Sequence, residues 1–369
     1  MNSSNFLKGQ LEQTKWQGMK RIKLSDVARK AGLSVASASL ILNDAWQGRV
    51  SEESAMRTLE IAKELNYRPN AAAKSLRTQS TSSYGFYSIG ISVSRYGLEM
   101  VNGAILKAEE LAHAILISEA QPRRRQSTPI ENASSTDSKS HIALDALKDR
   151  QIDGLIVAEA IARSAPELEV AKRLPTVFLN CKGPDDSHSI LPREYEAGVA
   201  ITQELLRDQR LKSVVILGSD PGLETKPELS VTVGERLRGI RETLATKTLE
   251  VTEIQFSDWE AESGYSHFKE YPLKPDGVIC LNDRVAFGVY QRCAELGWVI
   301  GKDISVVSFD DDELAQMLRP GLTTARLPYF EMGIEAVTAL NEGRSPGVTY
   351  VSMPVITRES VANLELQKP

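Results

Sequence analysis

The sequence predicts an α/β protein in which a small all-α head precedes a large body of two doubly wound parallel sheets. Three observations lead there. A chain of 369 residues exceeds one ordinary domain and suits one small domain plus one large, bilobed one. Near the amino end, short apolar-periodic segments separated by Gly and Ser read as closely spaced helices. From Ser83 onward, short β-like runs alternate with helical stretches, the pattern of parallel sheets with crossover helices.

The head is read first. Leu24 to Ala31 forms a short helix with Ser25 as its cap, Asp26 at the positive end of the dipole, and Val27, Ala28 and Ala31 on one apolar face. Gly32 stops it in a left-handed turn, Leu33 fills the corner, and Ser34 caps a second helix, Val35 to Leu42. Two helices joined this way make a helix-turn-helix. Asn43 and Asp44 end the second helix, and Gly48 lies in the loop beyond. A third helix runs from about Glu52 to Leu65, capped by Ser51, with Met56, Leu59, Ile61, Ala62 and Leu65 expected to close a three-helix core. On pattern alone, a helical bundle with a protein partner or none remains an alternative.

Charge is unevenly spread. Residues 1–80 carry 13 Lys or Arg against 7 Asp or Glu, a net of +6, and the rest carries 31 against 42, a net of −11. A basic head on an acidic body suits contact with a polyanion through the head. Residues 1–21 contain Lys8, Glu12, Lys15 and Lys20 and no apolar block, so they read as a flexible extension and not as a signal peptide. The expected layout is therefore an extension at 1–21, the helix-turn-helix domain at 22–69, a hinge helix and linker at 70–82, and the body at 83–369.

The stretch after the third helix sharpens the reading. Asp26-Val27-Ala28, Ala31-Gly32-Leu33-Ser34, Leu42-Asn43, Val50-Ser51 and Tyr67-Arg68-Pro69-Asn70, with Ser75-Leu76-Arg77, closely resemble the head of the lactose-repressor (LacI/GalR) family of bacterial regulators. The resemblance covers residues 23–78. It implies that Val35–Leu42 is a recognition helix for the major groove of an operator. It also implies that Asn70–Arg77 is a hinge helix, with Leu76 as its minor-groove wedge. So short a helix is marginal alone and needs a partner hinge and DNA to order it. The DNA-contact candidates are Ser34, Val35, Ala36, Ser37, Leu40, Asn43, Asn70, Lys74 and Leu76. Of these, Ser34, Asn43 and Lys74 are expected on phosphates. The chain departs from the family where Thr-Val-Ser-Arg is usual. Ser37-Ala38-Ser39-Leu40 stands there, and Leu40 removes a possible guanine reader. The loop Ala45–Arg49 is longer than is usual.

In the body, Ile89–Ile91, Ala114–Ile117, Gly154–Val157, Thr176–Leu179, Val214–Leu217, Gly277–Cys280 and Ile304–Val307 are strand candidates. Helices are expected near 98–113, 195–207, 235–246 and 284–296, and an exposed, Ser/Thr-rich loop from Pro122 to His141. Ligands of such sheets sit at the carboxyl ends of the strands. Asp276-Gly277-Val278-Ile279, Asn282–Gly288, Gly301–Asp311 and Arg319–Thr324 resemble the periplasmic-binding-protein-like effector domain of the same family, over about 84–361. Carried over, the resemblance implies an effector cleft lined by Asn180, Arg236, Trp259, Asn282, Asp310 and Tyr329. Tyr96 is added where the family's longer loop is replaced by Ser92–Gly97. Asn, Asp and Arg can bridge neighbouring hydroxyls, and Trp and Tyr can stack on a sugar face. The expected effector is a sugar, with a nucleoside or purine corepressor as the alternative. Residue by residue, a surface anchor for Trp259, a turn for Asn282 and a helix cap for Asp310 are equally open readings.

Other classes fit poorly. The chain lacks His-Glu-x-x-His, Gly-x-Ser-x-Gly, a phosphate loop and Gly-x-Gly-x-x-Gly, and its four histidines are isolated, so no enzyme and no cofactor are expected. Asp310-Asp311-Asp312-Glu313 reads as a strand end running into a helix cap rather than a cation site. Cys181, Cys280 and Cys293 match no metal or disulfide spacing, which fits a reducing cytoplasm. No apolar run reaches membrane-spanning length. A sugar-binding transport protein shares the body's fold but needs an export signal and no helix-turn-helix. The expected partners are a double-stranded operator of imperfect palindromic sequence, a small effector and a second copy of the chain. A homodimer is expected, because the chain ends at Pro369 without a leucine-heptad tail.

Overall fold

The computed structural model describes residues 22–68, 80–94, 96–120, 138–165 and 168–362. It divides into two compact units that part between residues 79 and 80. Among the described residues no helix is long and apolar enough to cross a membrane.

The first unit contains α1 (Leu24–Ala31), α2 (Val35–Leu42) and α3 (Glu52–Glu64). Lys23, not Ser25, is the residue that precedes α1, and Asp26 reaches back to accept its backbone N–H at 2.9 Å. Ser25 thus lies in the first turn, and Asp26 at the third helical position makes the backward bond of a capping box to the residue before the helix. Gly32 is left-handed at φ 70°, and its neighbour's N–H closes on Ala28. Ser34 caps α2 by accepting from the Ser37 N–H at 3.0 Å, and Ser51 caps α3. The core is Val27, Ala31, Ile61 and Ala62, edged by Ile22, Leu33, Leu42, Leu65 and Tyr67. Met56 and Leu59 do not join it, being 56% and 42% exposed. Ala55 and Thr58 take that face of α3 instead. Thr58 tolerates burial because its hydroxyl donates to Ser54 O at 2.7 Å.

The second unit has two six-stranded sheets. The first contains β1 (Ser83–Ile89), β2 (Ala114–Ala120), β3 (Gly154–Ser164), β4 (Thr176–Lys182), β5 (His188–Pro192) and β11 (Gly347–Val351). Its order is β11-β5-β4-β3-β1-β2, and every pairing is parallel. The second contains β6 (Ser213–Ser219), β7 (Glu250–Gln255), β8 (Gly277–Cys280), β9 (Ser305–Asp310), β10 (Thr323–Arg326) and β12 (Val355–Ile356). Its order is β12-β10-β9-β8-β6-β7, parallel except for β12 against β10. The helices are α4 (Gly97–Glu110), α5 (Ser138–Lys148), α6 (Glu194–Leu205), α7 (Pro221–Thr225), α8 (Val233–Leu244), α9 (Ala261–Glu270), α10 (Asp283–Leu296), α11 (Glu313–Met317) and α12 (Tyr329–Glu342). The doubly wound parallel architecture expected of the alternating pattern is present. The chain passes between lobes after β5, after β10 and after β11.

Two local expectations are corrected. The first strand is Ser83–Ile89, not Ile89–Ile91. Gly90 turns left-handed at φ 76°, and Ile91–Val93 is a short 3₁₀ turn. The strand's Tyr and Ser residues hide its buried character, since Tyr84, Phe86, Tyr87 and Ser88 are all buried. The stretch Ser138–His141, taken as the end of an exposed loop, opens α5.

Candidate functional site

On the head, α2 presents Val35 and Ala36 to solvent, and Ser37 and Leu40 are half-exposed, while Ala38 and Ile41 are buried against its neighbours. The buried pair fixes the helix; the exposed residues are free to meet a partner. Ser34 and Ser37 link their hydroxyls at 2.9 Å. Asn43 ends the helix and donates to Ser39 O at 2.7 Å. Of these six candidates, Ser34 and the first residues of α2 stand at the helix amino end, where N–H groups favour a phosphate. Asn70, Lys74 and Leu76 lie outside the described residues.

In the body, contacts between the two lobes come from the carboxyl end of β3 and from segments that follow β1, β6 and β9. Asn180 lies at the end of β4 and Asp310 at the end of β9; Asn282 directly precedes α10, and Tyr329 opens α12 after the crossover. Tyr96 stands before α4 and Trp259 after β7, while Arg236 comes from α8. Six of the seven candidates fall into two groups in contact, Tyr96, Tyr329 and Asn180 in one and Arg236, Trp259 and Asn282 in the other. The Tyr96 and Tyr329 rings meet edge-on, with centroids 6.4 Å apart. Asn180 donates to the Tyr329 hydroxyl at 3.3 Å and to Glu159 O at 3.0 Å. The Arg236 guanidinium carbon is 4.3 Å from the Phe309 ring centroid and 5.9 Å from that of Trp259. Asn282 donates to Trp259 O at 3.0 Å. The charge of Asp310 bears on Tyr96, Tyr329 and Arg236 together.

Several of these side chains already have duties. Asn282 caps α10 through the Val285 N–H at 2.8 Å, and the Trp259 indole N–H donates to Gly218 O at 2.8 Å. Arg236 is the most committed. Its Nε and one terminal nitrogen donate to Glu194 at 2.7 and 2.8 Å, and the other donates to Leu281 O at 2.6 Å. Glu194 is the first residue of α6, and it meets Arg236 because α6 and α8 touch backbone to backbone. A Cβ on Gly198 would strike the Arg236 carbonyl, and one on Gly239 would strike that of Tyr195.

Asn180 and Asp310 both sit at positive φ, 52° and 106°. Such backbone costs on the order of 1–3 kcal/mol at a non-glycine residue and concentrates at binding sites. Asn180 is fully buried, yet its Oδ1 finds no hydrogen-bond partner among the described residues, and neither does Glu159 Oε1. Glu159 pairs with Arg163 through its other oxygen at 2.8 Å. Burial pushes its carboxyl up despite that arginine.

Three acidic residues near these contacts, Glu194, Glu159 and Asp283, were not among the candidates. Glu194 and Glu159 are described above. Asp283 is fully buried, accepting from Thr324 at 2.8 Å and from the Asp312 N–H at 2.7 Å, and burial followed by the charge of Asp310 raises it well above its ordinary range. Asp312 caps α11 through the Leu314 N–H at 3.1 Å, and Asp311 pairs with Arg358 at 2.6 Å. The acidic run after β9 is thus a strand end feeding a cap, and among the described residues no cluster of His, Cys, Asp and Glu could hold a metal.

Two family models match the chain. One, described as bacterial regulatory proteins of the lacI family, covers residues 23–70. The other, a periplasmic binding protein-like domain, covers residues 204–361. The HTH-type transcriptional regulator RegA of Clostridium saccharobutylicum is 28% identical over 323 residues, 86% of this chain and 91% of that protein. The ribose operon repressor of Escherichia coli K12 is 28% identical over 327 residues, again 86% and 91%. The HTH-type transcriptional repressor PurR of Actinobacillus pleuropneumoniae is 27% identical over 356 residues, 92% and 98%. A crystal structure of the lac repressor dimer bound to operator and the anti-inducer ONPF superposes with a TM-score of 0.71 at 21% identity, over 93% of this chain and 100% of that one.

Proposed function

The chain belongs to the lacI family of bacterial regulatory proteins, and on that premise we propose that it is an operator-binding transcriptional repressor controlled by a small, uncharged polyhydroxyl ligand, a sugar. The head binds DNA through the exposed face of α2. The protein acts as a homodimer in the cytoplasm on an imperfect palindrome, because two-fold-related heads read two-fold-related half-sites. It works by binding, without turnover.

The observation that carries the ligand class is Asn180 Oδ1, a fully buried acceptor with no protein donor among the described residues. An unsatisfied buried acceptor costs about 1–3 kcal/mol. A hydroxyl supplies the missing donor. Charge points the same way. Arg236 is held by Glu194 and Arg163 by Glu159, while Arg284 stands 3.6 Å from Glu260 and 3.8 Å from Asp312 with its buried Nε lacking a hydrogen-bond partner among the described residues. With each of these cations facing a carboxylate, a neutral ligand is favoured over an anionic one. Trp259 and Tyr329 offer ring faces for the C–H side of a pyranose or furanose.

The test is a thermal-shift screen of pentoses, hexoses, disaccharides, nucleosides and purine bases, followed by operator selection from random duplexes with and without the hit. A ligand that binds only the native state raises Tm. Stabilisation by a sugar that also changes operator affinity is expected. Stabilisation by a purine base and not by sugars would replace the sugar with a corepressor of that class. Silence across the panel removes the cleft reading.

A further inference from the structure

The two lobes are tied together directly, by side chain and by backbone. Tyr96, from the first lobe, donates its hydroxyl to Asp312 Oδ2 of the second at 3.0 Å. Asp312 is aimed for this, since its other oxygen caps α11. Its carboxylate also faces Arg284 at 3.8 Å. A second tie is made by backbone. Beyond its bulge, β3 pairs again with β4 through Arg163 and Ser164, and there it meets the segment between α7 and α8 of the other lobe. Ser164 N–H donates to Pro227 O, and Val231 N–H donates to Ala162 O, both at 2.8 Å. Ala162 is buried and Ser164 and Val231 are half-buried, while Pro227 is exposed.

We propose that Tyr96 and Asp312 form a latch that keeps the cleft shut in the absence of ligand, and that an effector enters by breaking the bond between them. The role of an effector rests on the reading of the cleft given above; the latch itself does not. Three features support it. Tyr96 and Asp312 are half-buried, while Tyr329, which meets the Tyr96 ring, and Asn180, which bonds Tyr329, are buried, so a ligand reaches those two only after the lobes part. Burial, and then the charges of Asp310, Asp312 and Asp283, push the Tyr96 phenol far above its ordinary value, so it stays a donor. The ring's edge-on contact with Tyr329 holds the hydroxyl in place. Tyr96 is then a specificity-determining residue too, because a ligand must offset the lost bond, for example by offering its own hydroxyl to Asp312.

The experiment is residue-resolved amide hydrogen exchange on the ligand-free full-length protein, reading Ser164 and Val231, whose N–H groups bridge the lobes. Val306, whose N–H donates to Ser360 O inside the second lobe, is the control. In the wild type both bridging amides should be protected without ligand. Tyr96→Phe keeps the ring and removes only the hydroxyl. It should speed exchange at both roughly 10- to 100-fold, the scale of one hydrogen bond to a charged acceptor, and leave Val306 unchanged. Small-angle scattering should show a larger radius of gyration for the variant. If Tyr96→Phe fails to fold, Asp312→Asn carries the same test, since it weakens the bond and keeps a cap acceptor. Unprotected bridging amides in the wild type, or equal protection in the variant, would overturn the latch. A latch that passes while no compound raises Tm would sink the ligand reading alone.

Discussion

Arg236 and Glu194 face each other through two parallel hydrogen bonds of 2.7 and 2.8 Å, and both side chains are buried. Burial is the largest influence on the guanidinium and opposes its charge, but Glu194 outweighs it, so the group stays charged. Removing one partner leaves an uncompensated buried charge. Arg236→Ala and Glu194→Ala should each lower stability by about 3–5 kcal/mol in urea denaturation. Replacing both, Glu194→Leu with Arg236→Met, should be nearly neutral in stability, because a packed apolar pair avoids the desolvation cost. Yet that double variant should lose its response to the effector. Retained response in a stable double variant would show that the pair is structural only.

The contact that brings this pair together is glycine against backbone. Gly198→Ala and Gly239→Ala each place a methyl on a carbonyl of the facing helix, which has no rotamer with which to yield. Overpacking of this kind costs typically 1–3 kcal/mol. Displacing α6 from α8 should also weaken the Glu194 bond, so the Gly239→Ala protein should bind effector less tightly than its stability loss alone explains. Isothermal titration at a temperature where the variant is folded checks this.

Asp153 anchors the point at which the body begins. Its carboxylate accepts from Ser80 at 2.7 Å, from the Thr81 N–H at 2.9 Å and hydroxyl at 3.2 Å, and from the Ser83 N–H at 3.3 Å. Burial works against its charge, but these donors prevail, beginning with the Thr81 N–H, and hold it below its ordinary value. A depressed carboxylate contributes stability above the unfolded pKa and loses it as pH falls through the folded one. Asp153→Ala should therefore cost about 1–3 kcal/mol at pH 7. The gap to wild type should narrow below about pH 4. Urea midpoints measured from pH 7 to pH 3 test the sign.

Much of this was legible in the chain, and the reasons are physical. Gly32, Ser34 and Ser51 mark helix ends locally, so the head's helices could be placed to within a residue or two. Uninterrupted apolar runs such as Val214–Leu217 marked buried strands. The Ser83–Ile89 strand escaped because its Tyr and Ser residues resemble an edge, although both of its faces are covered. The candidate site was legible only through the family's residue pattern. What escaped were its partners. Glu194 lies 42 residues from Arg236, and Tyr96 lies 216 from Asp312. No periodicity links positions so far apart; only the packing of α6 on α8, and of one lobe on the other, brings them together.

The hinge helix that the family resemblance leads one to expect at 70–77 gives a prediction that the body does not. Leu76 stands where the family's minor-groove wedge is expected. Leu76→Ala should abolish preference for the operator over random duplex while sparing weak binding that falls steeply with salt. The wedge stabilises bent DNA, whereas phosphate contacts are indifferent to sequence. Competition titrations at fixed salt measure the ratio, and an unchanged ratio removes Leu76 from the interface.

Leu40 offers the sharpest test of the head. It sits half-exposed on α2, one residue before buried Ile41, at the place where the family usually carries arginine. A leucine there can make only apolar contacts to bases, such as thymine methyls. Half-site sequences selected by the wild type should therefore show no guanine contacted from this position. Leu40→Arg restores a planar pair of donors that can bridge guanine O6 and N7. A good bidentate contact discriminates by about 1–3 kcal/mol, roughly 5- to 150-fold at one base pair. The variant's selected sites should gain a guanine symmetrically in both half-sites, because the two heads of a dimer read related sequences. Circular dichroism should show an intact head, since Ala38 and Ile41 hold α2 in place and Leu40 is not among the core residues. Random-duplex selection with both proteins decides. A new guanine in one half-site only would argue against two-fold docking, and no change at all would place Leu40 away from the bases.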